Sequence, residues 1–251
     1  DGKHVTDFAE SSHTHTLNDL SDVNTTPSDG DILTWNSNTN EWKTSTVIRP
    51  LISNITITVG NGGDFSTITA AISHAVTKYY PIMLSTGTCP RITIQLLSDF
   101  IMSEQVLVES LDLSWITITG NDDETLIDRS ALTTIFGLGY PAFAALNGGF
   151  LPIIGQLFNM NTNGTITDRH GILAYSNSRA IVLPDCGVKN AGAYGIAAYA
   201  GSTINACGSN TSDAGQFGIY VGKGSTISAI DATGTTSQEA NTVTVNGIIF
   251  K

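Results

Sequence analysis

Residues 191–206 read AGAYGIAAYAGSTINA and residues 214–229 read AGQFGIYVGKGSTISA, an offset of 23 residues. Ala191, Gly192, Gly195, Ile196, Gly201, Ser202, Thr203, Ile204 and Ala206 recur as Ala214, Gly215, Gly218, Ile219, Gly224, Ser225, Thr226, Ile227 and Ala229. Chance does not keep so many identities in register over so short a window, and an internal repeat of this length restricts the folds open to the chain. A weaker copy, HGILAYSNSRAIVL at 170–183, sets Gly171 and Ile172 24 residues before Gly195 and Ile196, and Gly247 with Ile248 is read as a further echo. Upstream, Arg91-Ile-Thr-Ile94 returns as Trp115-Ile-Thr-Ile118, and the phrase ITIT also stands at 55–58.

A unit of about 23 residues that carries two or three short strands, alternating apolar positions and corners of Gly, Ser or Asn is what one coil of a parallel β-helix requires. Inward residues such as Ile196 and Ile204 then stack on their counterparts one coil along, at the interstrand spacing of ~4.8 Å. Composition agrees: charged residues make up only 13% of the chain, there are 25 glycines, and Thr, Ser, Asn, Ile and Val are abundant. Such a mixture favours pleated strands and tight turns, so the expected class is all-β. A Gly-rich β-sandwich is the competitor, but the Asn-Gly and Asp-Gly pairs do not fall between strands at hairpin spacing.

The repeats begin after a different kind of segment. In ITITVGNGGDFSTITAAISHAVTKYY, residues 55–80, a strand runs into a glycine-rich turn and then a helix expected over about 66–79. Asp64 or Ser66 is the expected N-cap, and Ile68, Ala71, Ile72 and Ala75 form an apolar stripe. This helix is expected to cover the first coil, because an open sheet end recruits other chains. The glycines at 60, 62 and 63 make no phosphate loop, since no P-loop lysine follows them.

Three segments carry a family resemblance: the GxGGDFxTIxxAI-like phrase from Gly60 to Ile72, LDLSWITITG at 111–120, and the GIxAxxGSTIxA-like repeats from Gly195 onward. Over residues 52–251 the chain resembles bacteriophage tail spikes and tail fibres built on a pectate-lyase-like right-handed parallel β-helix. Residues 13–46 are similar to short modules found along phage fibres, with His13 to His15, Leu20 to Val23, Pro27 to Asp31, Trp35 and Trp42. Ile32, Leu33 and Trp35 are expected in one strand and Trp42 in another, with Asn36 to Asn40 as the turn. The resemblance therefore implies a virion-attachment and trimerisation segment at 1–50, a β-helix at 51–251, a homotrimer, other phage tail proteins as partners, and a place on the virion.

Candidate site residues follow from both lines of reasoning. In a parallel trimer the single pair His13-Thr-His15 would gather six imidazoles, enough for a divalent transition metal ion; the alternative is a polar, metal-free segment. No cofactor is otherwise required. His74 is expected on a helix face and His170 in a loop. Several spikes of the resembled family cleave bacterial surface polysaccharide, and glycoside hydrolysis needs two facing carboxylates. The acidic cluster Asp122, Asp123, Glu124 and Asp128 is the weak candidate for that role, against a solvated acidic turn. Asp185, Asp213 and Asp231 have spacings that do not match the repeat. Neither a Gly-x-Ser-x-Gly elbow nor a Ser-His-Asp set is present.

For binding, Tyr194, Tyr199, Phe217 and Tyr220 lie in the clearest repeats and offer flat faces to sugar rings, beside Asn205, Asn210 and Ser225, unless they are core residues. Net charge is −11, which argues against nucleic acid as a partner. No apolar run approaches the roughly 20 residues that span a bilayer, so membrane insertion is not expected. Cys89, Cys186 and Cys207 have no metal-ligand spacing and are read as reduced core thiols. The sequence thus favours a non-enzymatic phage fibre or spike component that binds host surface glycan, with a polysaccharide depolymerase or a purely structural spike as alternatives.

Overall fold

The computed structural model describes Val23 and residues 31–46, 54–86, 90–135, 137–160, 169–233 and 242–250. The chain divides into two units, 1–50 and 51–251. In the first, Asp31–Asn36 pairs antiparallel with Glu41–Thr46, in a register that sets Trp35 opposite Trp42. The two indoles meet edge to face with centroids 5.5 Å apart. The Asn36 side chain accepts from the Asn38 backbone within the turn, which Asn40 completes at φ 51°. His13 and His15 lie outside the described residues.

The second unit is mostly strand with a single long helix, and every ladder among its described strands is parallel. Three faces can be followed. The first runs through Ile55–Val59, Ile92–Leu96, Ile116–Gly120 and Ile153–Gly155. It continues across the Ile154–Val182 bridge into Arg179–Ile181, Thr203–Asn205, Thr226–Ser228 and Ile248–Phe250. The second face holds Ile101–Met102, Thr125–Ile127, Leu157–Asn159 and Gly187–Lys189, and is extended by the bridge from Asn210 to Thr233. The third is one sheet of six strands: Val106–Glu109, Tyr140–Leu146, Arg169–Tyr175, Tyr194–Tyr199, Phe217–Gly222 and Thr242–Val245. From Ile92–Leu96 onward the chain visits the faces in fixed rotation, and the parallel pairing excludes an antiparallel sandwich.

The sequence repeats are this register. Ile196 pairs with Ile219 and Ile204 with Ile227, 23 residues on; Ile172 pairs with Ile196, and Ile92 and Ile94 with Ile116 and Ile118, 24 residues on. Inward side chains therefore meet their own kind, and Ile92, Ile94, Ile116, Ile118, Ile172, Ile196 and Ile204 are all buried in one continuous core. Gly247 and Ile248 are not a further copy. Ile248 pairs with Thr226 on the first face, whereas the Gly-Ile pairs of the repeat belong to the third.

The recurrence of glycine from repeat to repeat has a steric cause. A Cβ on Gly195 would lie 2.6 Å from the Thr211 Cβ and 2.8 Å from the Gly218 carbonyl oxygen, and one on Gly171 would strike the Gly195 carbonyl. Glycine lets adjacent circuits close without a side chain between them. Buried serines perform a related service at the next corner: Ser202 Oγ accepts from the Ser178 N–H, and Ser225 Oγ from the Ser202 N–H, each at 3.1 Å.

The helix spans Ile68–Thr86, about two turns beyond the expected end and past Pro81. Its stripe of Ile68, Ala71, Ile72 and Ala75 is buried, and Tyr80 stacks on Trp115 with centroids 6.3 Å apart. The N-terminal cap differs from expectation. Thr67 Oγ1 accepts from the Ala70 N–H, and the Glu104 carboxylate accepts from the Ile68 and Thr69 N–H groups at 2.5 and 2.9 Å. A carboxylate from 36 residues away thus neutralises the positive end of the helix dipole. Asp64 is occupied elsewhere, accepting from both the backbone and the hydroxyl of Thr58, which holds its carboxyl below the usual range.

Replacing Gly195 with Ala is expected to lower stability by about 1–3 kcal/mol, the usual cost of overpacking a close contact. Urea midpoints measure this. An unchanged midpoint would show that the close approach of the circuits is not a constraint.

Candidate functional site

The third face differs from the others in being apolar on both sides. Inside lie Phe143, Ile172, Ile196 and Ile219 of the main core; outside, Ala144, Leu146, Leu173 and Ala197 form a separate buried cluster. The outward register runs from Leu107 to Ala144, Leu173, Ala197 and Tyr220. Strands apolar on both faces need cover on both. Part of that cover is the segment between Thr125–Ile127 and Tyr140–Leu146. It makes a 3₁₀ turn at Arg129–Ala131 and a tight loop in which the Ile135 N–H donates to Gly139 O at 3.0 Å and the Leu138 N–H to Ile135 O at 2.7 Å. Ile135 and Leu138 from this loop pack onto the outer cluster.

Beside the loop opens a cleft of about 470 Å³, lined by Thr134, Gly137, Leu138, Tyr140, His170, Tyr194, Tyr199 and Gln216 among others. Three of its lining residues, His170, Tyr194 and Tyr199, belong to a run of packed rings. His170 lies on Tyr194 with centroids 4.8 Å apart and planes 18° apart, and Tyr194 lies on Tyr220 at 4.6 Å and 14°. Phe217 and Tyr199 extend the row, at 5.9 Å from Tyr194 and 5.0 Å from Tyr220 respectively. All four sequence candidates, Tyr194, Tyr199, Phe217 and Tyr220, are therefore half-buried on the outer side of the sheet rather than inside the main core. They are mutual packing partners, and two of them, Tyr194 and Tyr199, line the cleft. Burial, with hydrogen bonding to Tyr194 and Tyr220, pushes the Tyr199 hydroxyl well above its ordinary value, so it stays protonated and able to donate.

The polar partners expected for these rings are not the ones present. Ser225 is buried in the serine ladder, and Asn205 and Asn210 are used in local turns, their Oδ1 atoms accepting from the Cys207 and Ser212 N–H groups. Thr134, His170 and Gln216 stand at the cleft instead. His170 is not a loop residue. It is buried in the strand Arg169–Tyr175, and its Nδ1 accepts from the Tyr194 N–H at 3.4 Å. His74 lies on the helix, between the rings of Phe65 and Tyr79.

The acidic cluster is engaged in structure. Glu124 forms an ion pair with Lys189 and accepts from Asn159 Nδ2 at 2.9 Å, and these contacts hold its carboxyl below the usual range. Asp128 caps the 3₁₀ turn, accepting from the Ser130 hydroxyl and N–H, which lowers it likewise. Asp122 accepts from the Asp99 N–H at 2.8 Å, and Asp123 is exposed. Neither Glu124 nor Asp128 has the raised affinity for a proton that a general acid needs. Asp185, Asp213 and Asp231 are turn residues with φ near 60° (59°, 59° and 57°). Cys186 and Cys207 are free and half-buried, Cys186 packed against the main core, and Cys89 lies outside the described residues; burial raises the Cys186 thiol above its ordinary value.

Among the described residues no group of His, Cys, Asp and Glu is arranged to hold a metal ion, and no helix is long and apolar enough to cross a membrane. Comparison with protein-family models, with curated proteins and with solved structures finds nothing that matches this chain.

The Lys189–Glu124 pair carries a pH prediction. Because the folded carboxyl is held below its ordinary value of 4.5, its contribution is present above that pH and is lost as pH falls through the lower folded value. Both groups are partly exposed, so the contribution is at most about 1 kcal/mol. Lys189→Met is expected to melt a few degrees below the wild type at pH 7, with the deficit shrinking as pH falls below the ordinary carboxyl value of 4.5. A deficit that does not change with pH would show that packing, not charge, is what the lysine contributes.

Proposed function

We propose that the chain is a phage tail fibre or tail spike component whose second unit is a parallel β-helix that binds host cell-surface glycan without cleaving it. The observation that carries the binding reading is that His170, Tyr194 and Tyr199 line the cleft on the outer side of the six-stranded sheet, with Tyr220 and Phe217 packed against them. Aromatic faces take the apolar faces of sugar rings, and Gln216, Thr134 and the Tyr199 hydroxyl supply directional hydrogen bonds beside them. The cleft volume falls within the range of about 300–1,000 Å³ common to small-ligand sites. Rigid strands hold the rings, so little freedom is lost on binding.

Support for the viral assignment is the sequence resemblance of residues 13–46 and 52–251. On this reading the first unit attaches to other virion proteins and the assembly is a homotrimer. The exposed Trp35–Trp42 pair on a two-stranded ribbon is the kind of surface such an assembly would bury, since a lone hairpin is marginal in water. The binding reading is preferred to a depolymerase because Glu124 and Asp128 are held below the ordinary carboxylate range by structural partners.

Incubation with polysaccharides from a panel of bacteria, following both retained polymer and new reducing ends, is expected to give retention without product. Tyr194→Ala or Tyr199→Ala should weaken retention about tenfold, the worth of one lost ring contact. Product that appears with the wild type and vanishes in Glu124→Gln would replace the adhesin with a hydrolase.

A further inference from the structure

Gln105 stands one residue before the strand Val106–Glu109, which begins the third face, and one residue after Glu104, which caps the helix. Its amide reaches the two legs of the loop that makes one side of the cleft. Nε2 donates to Thr133 O at 2.9 Å and to Pro141 O at 2.6 Å, and Oε1 accepts from Thr133 Oγ1 at 2.9 Å. Between those two points the chain supplies Thr134, Gly137, Leu138, Gly139 and Tyr140 to the cleft lining, whereas Gln105 is not itself a lining residue. We propose that Gln105 is a positioning residue of the cleft: by tying both legs of the loop to the sheet, it holds that side of the site in its binding shape before the glycan arrives. This step rests on the glycan reading above.

The chemistry of the tie is specific to an amide. Two main-chain carbonyls can only accept, so the nitrogen end must face them, and the carbonyl end is left for the Thr133 hydroxyl. A carboxylate at the same place would set a charge against both carbonyl oxygens. The partners lie 28 and 36 residues along the chain, so the tie joins the first strand of the sheet to a loop that enters the second. Pro141 is paired in register with His170, another lining residue, which places one leg directly beside the cleft. The other forces on the loop do less to fix its position. Its two internal main-chain bonds, Ile135 to Gly139 and Leu138 to Ile135, move with it. Packing of Ile135 and Leu138 on the outer cluster is non-directional. Gly137 and Gly139, at φ 71° and 85°, bring the conformational freedom of glycine to the turn. A wall that is already ordered loses little freedom when it meets a ligand, whereas a loosened one must be ordered by the ligand, which weakens binding.

The test uses the full chain and, as probe, the bacterial polysaccharide of the panel that the wild type retains best. Gln105→Met keeps the reach of the side chain and removes all three hydrogen bonds. Calorimetric titration well below the unfolding transition is expected to show about tenfold weaker binding, and hydrogen exchange of the Leu138 amide is expected to quicken. Thr134→Ala separates positioning from plain stability. It is expected to weaken binding about fivefold in the wild type and less than about twofold in the Gln105→Met background, because a wall no longer held in place has little contact left to lose. Thr133→Val removes one of the bonds, should give a smaller loss with the same coupling to Thr134→Ala, and serves if Gln105→Met does not fold. Wild-type affinity in Gln105→Met overturns the positioning role and leaves the glycan site standing. An equal loss from Thr134→Ala in both backgrounds also overturns it. Retention of no polysaccharide by the wild type overturns the glycan reading itself, and the role of Gln105 with it.

Discussion

The parallel main-chain ladder, in which each circuit hydrogen-bonds in register to the one before it, is the constraint on which the other features depend. Because the ladder is parallel and in register, a residue type that suits one circuit is placed over the same position in the next. Isoleucine stacks on isoleucine inside, serine on serine at one corner, and glycine follows glycine where the circuits come closest. A slip of one residue would turn the core side chains of a strand outward. The repeat in the sequence is thus the register written in residues.

Around that ladder, two lateral features do different work. The helix Ile68–Thr86 covers the first strands with a buried stripe, and its positive end is held by Glu104 from the following circuit. The loop that includes Ile135 and Leu138 lies against the outside of the third face and makes one side of the cleft. Without it, the outward Ala144, Leu173 and Ala197 would be bare sheet. The same outer apolar layer that needs cover for stability supplies the wall that the proposed glycan would meet.

Much of this was legible in the sequence, and the failures have identifiable causes. The stripe at Ile68, Ala71, Ile72 and Ala75 and the pairs Ile92–Ile116 and Ile196–Ile219 could be read because periodicity is local or repeats in identical letters. The role of Glu104 could not, since its partners lie 36 and 35 residues upstream and no spacing rule links a carboxylate to a distant helix start. The place of His170 at the cleft was hidden for a related reason: its surroundings come from Tyr194, in another circuit. One signal was present and unused. The strands YPAFAAL, GILAY and YGIAAY are apolar at both parities, which implies burial on both faces and hence a covered outer surface on which the aromatic rows sit.

Ile55 pairs with Ile92, and Ile92 with Ile116, although the first step spans 37 residues and the second 24. The additional residues of the first step leave sideways, chiefly as the helix, and the chain returns to the register it left. Length along the chain and height along the stack are accordingly separate quantities: height grows by ~4.8 Å for each circuit, whatever that circuit contains. A relative of this protein with far more residues could stand no taller, and its added sequence would be displayed as breadth, in lobes at the corners where surfaces meet their surroundings.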